Sequence, residues 1–365
     1  MHRLLIHTDM RKGNRCRRNS FIHVSEKLIE NIWKPVLGTL IKTLFCLLPA
    51  LISCKGPKLA ESDVTADRTT GLMLKTVSDT EYLDIFTFND DRLAHLDSYQ
   101  RTEGLGEGMA EVRSQNGDKI IFVCANSRKD RYDWTEINSF AALESIEASL
   151  QEESRNYPLM TGSGYMTAGQ KAPCLMNLVP LASEVHLRSI RCAFIDSGQS
   201  GTRLHNVKVY LTNVNVSCSI TAETVTRPSH IVNTQGPDHD YLNEMREPDI
   251  LMQKVPATVG SDRYMADIRL LCYPNSCETE GPGTPFTRLV IEGDIDGTTY
   301  WWPININRGK GTVEPGIHRN CRYTYDITLR RKGTSSPDDV IEIEDADIDM
   351  EIDSWNEKDR YSISF

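Results

Sequence analysis

The 365-residue sequence lacks the short motifs around which catalysis is usually organised. None of its histidines forms HxH or HExxH, the spacings that bring two imidazoles to one metal. The segment "SGQSGT" approaches a nucleophile elbow but has Thr202 where the last glycine of GxSxG belongs. "RGKGT" lacks the spacing of a phosphate-binding loop. No CxxC occurs, and past Cys54 only Cys272 and Cys277 lie close together, so a zinc site is not expected. That pair can form a disulfide in an oxidising compartment. The remaining thiols, such as Cys124 inside "IIFVCAN", read as small buried hydrophobes. No catalytic residue, metal or cofactor is expected.

A basic surface is missing as well. Residues 1–53 hold 9 Lys+Arg against 3 Asp+Glu, so the whole-chain −10 leaves −16 on the 312 residues from Cys54 onward. Nucleic acid, whose phosphates require a positive face, is excluded as a partner on that ground. A self-repelling, soluble surface protein fits the balance. Nor is any apolar run long enough to span a bilayer, which takes about 20 residues. The run from Val36 is interrupted by Lys42, which leaves only residues 43–53.

That short run has the form of an export segment. "LLPALISCKG" ends an apolar stretch at Cys54 and turns polar at once. An apolar core of about 7–15 residues behind basic residues is the pattern of a secretory signal. Leu51-Ile52-Ser53-Cys54 matches the bacterial lipobox, in which cleavage precedes a cysteine that carries lipid. Cys54 is the expected lipidation site; a plain signal peptide or short anchor is the blander alternative. Read from residue 41, "IKTLFCLLPALISC" is a compact signal peptide by itself, so translation is expected to start near Leu40 or Ile41. Residues 1–53 are set apart as signal segment and residues 54–68 as a polar tether.

Strand patterns follow. "GLMLKTV" (71–77) is short and apolar, "EYLDIFTFND" alternates as a half-buried strand, and "DKIIFVCAN" has the composition of a buried central strand. "TEINSFAALESIEASLQEE" places Ile137, Phe140, Leu143, Ile146 and Leu150 at spacings of three and four, which predicts one amphipathic helix capped by Asp133 or Thr135. From Ala172 the chain is β-rich again. Residues 219–262 carry four prolines and no period, and read as a long loop. "GDIDG" should turn a hairpin at Asp296-Gly297. In Trp301-Trp302, neighbours in a strand face opposite ways, so one tryptophan belongs in the core. The acidic end alternates Asp347, Asp349 and Glu351 with Ile348, Met350 and Ile352, a solvated strand face rather than a calcium loop. Many short strands with one helix predict a mostly β chain built of β-sandwich domains.

The lipobox, "GLMLKTV", "YLDIFTFN", "IIFVCAN", "PLMTG", "PLASEVHLRSIRCAF", "VKVYLTNV", "LLCYPN", "WWPININ" and "IHRNCRYTYDITLRRKG" follow one another in this order. The order is similar to that of the fimbrillins, the lipoprotein subunits of type V pili of Bacteroidia, and covers nearly all of 50–365. Its most specific element is Arg319, Asn320, Tyr323, Tyr325, Ile327 and Gly333. The resemblance implies two transthyretin-like, Greek-key β-sandwich domains, 69–180 with the helix and 181–365. It also implies a structural or accessory subunit of a surface fimbria, exported as a lipoprotein to the outer membrane and active in adhesion to a host or bacterial surface. Its partners would be other fimbrial subunits, joined by donor-strand exchange. In such assembly a protease cuts after an arginine beyond the first strand, that strand leaves, and a neighbour's C-terminal strand fills the groove. Tyr361, Ile363 and Phe365 have the alternation of a donor strand.

The chain departs from that pattern at the processing point. No arginine lies between the 71–77 strand and Arg92; Arg68 precedes that strand and Lys75 lies inside it. Either cleavage occurs at Lys75, or the subunit keeps its first strand and its lipid, as a pilus anchor does. The alternative class is a monomeric surface lipoprotein that binds a glycan or host ligand.

Overall fold

Period-two alternation governs most of the chain, and strands follow from it. The computed structural model describes residues 67–76, 79–103, 108–194, 201–309, 314–339, 341, 346–354 and 361–364. The expected lipidation site Cys54, the signal segment and Phe365 lie outside the described residues.

The first half contains β1 (Arg68–Lys75), β2 (Tyr82–Asn89), β3 (Leu96–Glu103), β4 (Met109–Ser114) and β5 (Asp118–Ala125), then α1 (Phe140–Glu144), β6 (Glu147–Ser149), β7 (Met160–Thr167), β8 (Cys174–Asn177) and β9 (Val179–Pro180). The second half contains β10 (Ser183–Cys192), β11 (His205–Thr212), β12 (Val214–Asn215), β13 (Ser217–Ser219), β14 (Ile231–Val232), α2 (His239–Glu244) and β15 (Met252–Lys254). It ends with β16 (Tyr264–Cys272), β17 (Arg288–Ile295), β18 (Thr298–Asn305), β19 (Cys321–Leu329), β20 (Ala346–Ser354) and β21 (Tyr361–Ser364).

The long strands form two facing pairs of sheets. In the first pair, β4-β1-β8 packs on β3-β2-β5-β7-β9. Leu72, Leu74, Val112 and Met176 meet Leu83, Ile85, Ile121, Val123 and Met160 between them, all buried. In the second, β16-β10-β19-β20-β21 faces β15-β11-β17-β18. Its larger core runs on to the far side of the first pair, where Phe86, Phe88 and Phe122 join the same apolar cluster. The described residues therefore form one compact unit by contact. The mostly β sandwich architecture read from the sequence is present.

Several expectations need correction. β2 is not half-buried: Leu83 through Phe88 are all buried, because its second face is covered by α1 and the residues before it. The long helix is cut to Phe140–Glu144. Ser139, not Asp133 or Thr135, caps it by accepting the Ala142 N–H; Asp133 is occupied in a local turn with Thr135. After Ser145 the chain is drawn into an antiparallel pairing of β6 with β13. A tertiary backbone partner overrides the helical period. Ile137, Leu143 and Leu150 are buried all the same. Residues 219–262 are not a bare loop, since they carry α2 and the edge strand β15. The first strand begins at Arg68 rather than after it.

Other expectations match. β5 is central in its sheet. Asp296 and Gly297 both adopt positive φ (51 and 79) and turn the β17–β18 hairpin, in which Ile295 pairs with Thr298. Trp302 is in the core, while Trp301 donates from Nε1 to Glu292 Oε2 at 3.2 Å.

The Arg319–Gly333 motif has a structural reason at each position. Asn320 occupies the left-handed region (φ 60), which suits asparagine. The Tyr323 hydroxyl accepts from His318 N and donates to Gly316 O. Tyr325 and Ile327 are buried in the larger core. At Gly333 an added Cβ would fall on Trp301 O, well inside contact distance, and 2.9 Å from Trp302 Cδ2. Because backbone cannot step aside as a side chain can, Gly333→Ala should destabilise the protein by roughly 1–3 kcal/mol. The measurement is a lower urea midpoint with an unchanged slope.

Candidate functional site

The element whose position bears most on assembly is β1. It is the middle strand of its sheet, antiparallel to β4 and parallel to β8. Thr70, Leu72 and Leu74 point inward and are buried; Thr69, Met73 and Lys75 point outward and are exposed. Both edges of the strand are satisfied to its last residue: Leu74 N–H donates to Gly108 O at 2.8 Å, and Lys75 O accepts from Leu178 N at 2.9 Å. The Thr70 hydroxyl accepts the Gly169 N–H, and Arg68 Nε reaches Asn116 Oδ1 at 2.8 Å. Arg68 and Lys75, the two residues singled out for processing, are thus the first and last residues of β1, both exposed.

Outside this sheet an apolar row crosses the strand. Met73 lies opposite Met109 on β4 and Leu175 on β8, and the three are 41%, 50% and 72% exposed. Sequence alternation could have placed each on an outer face, but their alignment depends on a register that only the fold supplies.

The C-terminal residues Tyr361 and Ile363 belong to β21, which pairs antiparallel with β20 at the sheet edge, Met350 opposite Ile363 and Ile352 opposite Tyr361. The donor-strand candidates and β1 therefore lie in different sheets.

Cys272 and Cys277 are not joined. Each is a buried free thiol: Cys272 belongs to β16 and the larger core, while Cys277 Sγ faces Thr284 O at 3.5 Å. Strand periodicity carries Cys272 into the core, so sequence proximity does not make it a partner. Among the described residues no cluster of three His, Cys, Asp or Glu could hold a metal. Also among them, no helix is long and apolar enough to cross a membrane.

Two buried ionisable groups tie the first sandwich to the second, and sequence reasoning assigned a role to neither. Arg319 donates from Nη2 to Thr161 Oγ1 (2.9 Å) and Val179 O (3.0 Å), and from Nη1 to Ala222 O (3.1 Å) and Glu223 Oε1 (3.3 Å). Its planar fork suits several fixed carbonyls at once, which lysine could not match. Glu153 accepts the Leu159 N–H at 3.1 Å and the Tyr273 hydroxyl at 2.9 Å.

The same β-sandwich architecture is found in solved proteins described as cell-adhesion proteins and as a fimbrilin. A candidate cell-adhesion protein from Bacteroides eggerthii DSM 20697 superposes with a TM-score of 0.58 at 14% identity, over 80% of this chain and 96% of its own. A fimbrilin from Porphyromonas gingivalis W83 gives 0.57 at 14%, over 79% and 97%. A candidate cell-adhesion protein from Parabacteroides distasonis ATCC 8503 gives 0.55 at 12%, over 80% and 99%. At such identities the likeness establishes a shared fold. No family model matches the sequence, and no curated protein matches it.

Burial pushes the Glu153 carboxyl up to about 7, against the hydrogen bonds from Leu159 and Tyr273 that favour its charge. The folded value lies above the unfolded one, so the folded state binds this proton more tightly. That stabilisation is complete below the unfolded pKa of about 4.3 and is lost as pH rises through about 7. Thermal stability should fall between about pH 5 and 8, and Glu153→Gln should flatten that segment of the profile. Melting curves of both proteins across the range check this; parallel profiles would place the titration elsewhere.

Proposed function

We propose that this chain is a structural or accessory subunit of a surface fimbria, exported as a lipoprotein and assembled with other fimbrial subunits by donor-strand exchange. The observation that carries the reading is the place of β1: the first described strand is also the middle strand of its sheet. Its loss would leave β4 and β8 with unpaired backbone groups facing each other across an apolar trench that Leu72 and Leu74 now fill. A neighbour's strand would restore the main-chain bonds and refill the pockets with alternate side chains. The adhesion and fimbrial descriptions of proteins with the same fold agree with this reading.

β21 is the donor in this account. It is held by β20 on one side only, so its release costs a single ladder. Tyr361, Ile363 and Phe365 seated in a neighbour's trench would contribute roughly 1.5–3 kcal/mol each before the cost of ordering the strand. The two pairs of sheets support a division into two transthyretin-like domains, 69–180 and 181–365.

Within the fimbria the chain is anchor-like. A cut after Arg68 would remove one residue of β1 and leave the rest in place, and no arginine follows until Arg92, beyond β2. With the strand and the lipid on Cys54 retained together, the subunit is fixed to the outer membrane and its own trench stays filled, so it joins the fimbria by donating β21 rather than by accepting a strand. The glycan-binding alternative gains nothing from Trp301-Trp302, since Trp302 is in the core and Trp301 is engaged by Glu292.

Protein extracted from the cell surface should begin at a lipidated Cys54 with β1 intact by N-terminal mass spectrometry. A mature N-terminus at Thr76 or beyond overturns strand retention. Cys54→Ser should remove the protein from the outer membrane, and unchanged display overturns the lipoprotein reading. Deleting residues 361–365 should leave the fold while abolishing SDS-resistant ladders.

A further inference from the structure

Lys119, at the start of β5, is 1% exposed, on the strand face that carries Ile121 and Val123 into the smaller core. Its direct cross-strand partner is Asn89, the last residue of β2. Lys119 Nζ donates to Asn89 Oδ1 at 2.5 Å, the short end of hydrogen-bonding distance. Asp97 Oδ2 lies 3.4 Å from the same nitrogen, its side chain 2% exposed. A bulge delivers that carboxylate: Thr87 pairs with Ser98 and Phe88 with Leu96, so Asp97 is the extra residue between them. The Gln115 N–H, 2.9 Å from Oδ2, holds it in orientation. An amine, a carboxamide and a carboxylate are gathered at one end of a sandwich, the amine and the carboxylate buried and the carboxamide half-buried.

We propose that Lys119 and Asn89 become joined by a self-formed isopeptide bond, with Asp97 as the proton carrier. Asp97 takes a proton from the Lys119 ammonium, and the freed Nζ lone pair attacks Asn89 Cγ. As the Cγ–Nδ2 bond breaks, Asp97 returns the proton to Nδ2. An Nζ–Cγ amide replaces the Cγ–Nδ2 amide, and ammonia leaves carrying the remaining proton as ammonium. No electrons are exchanged and no co-reactant is consumed.

Three features favour the reaction here. Cross-strand pairing holds nucleophile and amide together, and such fixed geometry is equivalent to roughly 10⁵–10⁸ M of reactant. Burial of the amine and the carboxylate keeps water from between nucleophile and proton carrier, which limits hydrolysis as the competing outcome. The product replaces a buried cation with a neutral amide, which relieves the cost of keeping that charge from solvent. The bond ties β2 to β5 around an excursion that contains β3 and β4, and β4 is one of the two strands that flank β1. Tension passing along the chain would then bypass residues 90–118.

The inference is independent of the fimbrial reading. The test is peptide mapping of the full chain after denaturation and proteolysis. Wild-type protein should yield a branched peptide linking Asn89 to Lys119, lighter than its two linear components by one ammonia. Linear peptides carrying unmodified Asn89 and Lys119 in the wild type overturn the proposal, and this measurement does not depend on any variant folding. Lys119→Met and Asp97→Ala should both give only linear peptides. A branched peptide that persists in Asp97→Ala would overturn the part assigned to Asp97.

Discussion

Backbone hydrogen bonding in the middle of a three-stranded sheet is the constraint on which the assembly reading depends. β1 satisfies partners on both sides, and its inward residues fill the smaller core. An edge strand could leave and expose one row of donors and acceptors. A middle strand exposes two, together with the pockets its side chains filled. That difference makes β1 at once necessary to the isolated subunit and replaceable by a strand of similar alternation.

The second pair of sheets repeats the arrangement with one change. β10, like β1, has an antiparallel neighbour (β16) and a parallel one (β19). Beyond β19, however, two further strands extend the sheet, whereas β8 has no further strand beside it among the described residues. Arg319 and Glu153 hold the two repeats together from opposite chemistries, one saturating carbonyls and the other accepting from an amide and a phenol. Both are buried, so neither link is screened as an exposed ion pair would be.

Much of this was legible in the residues where local chemistry decides the outcome. Asp296-Gly297 tolerates the left-handed backbone a tight hairpin needs, and strand alternation required one of Trp301 and Trp302 to face inward, the fold choosing Trp302. The helix over 135–153 was misread because its apolar spacing is real, yet β13 offers Glu147–Ser149 a ladder that no local pattern announces. The same limit applies to the buried polar groups. Alternation in "DKIIFVCAN" sets Lys119 on the face of Ile121, a visible oddity, but Asn89 lies 30 residues away and Asp97 arrives through a bulge. Long-range register and irregular pairing are properties of the folded sheet.

Cys174 sits on β8 directly opposite Leu72 of β1, buried as a free thiol whose ionisation that burial disfavours. Its Sγ lies 3.5 Å from Tyr165 O of β7, inside the layer that β1 helps to close. In a subunit that keeps its first strand that layer stays closed, so this thiol should remain inert to alkylation in whole cells, a tag-free sign that the strand is in place.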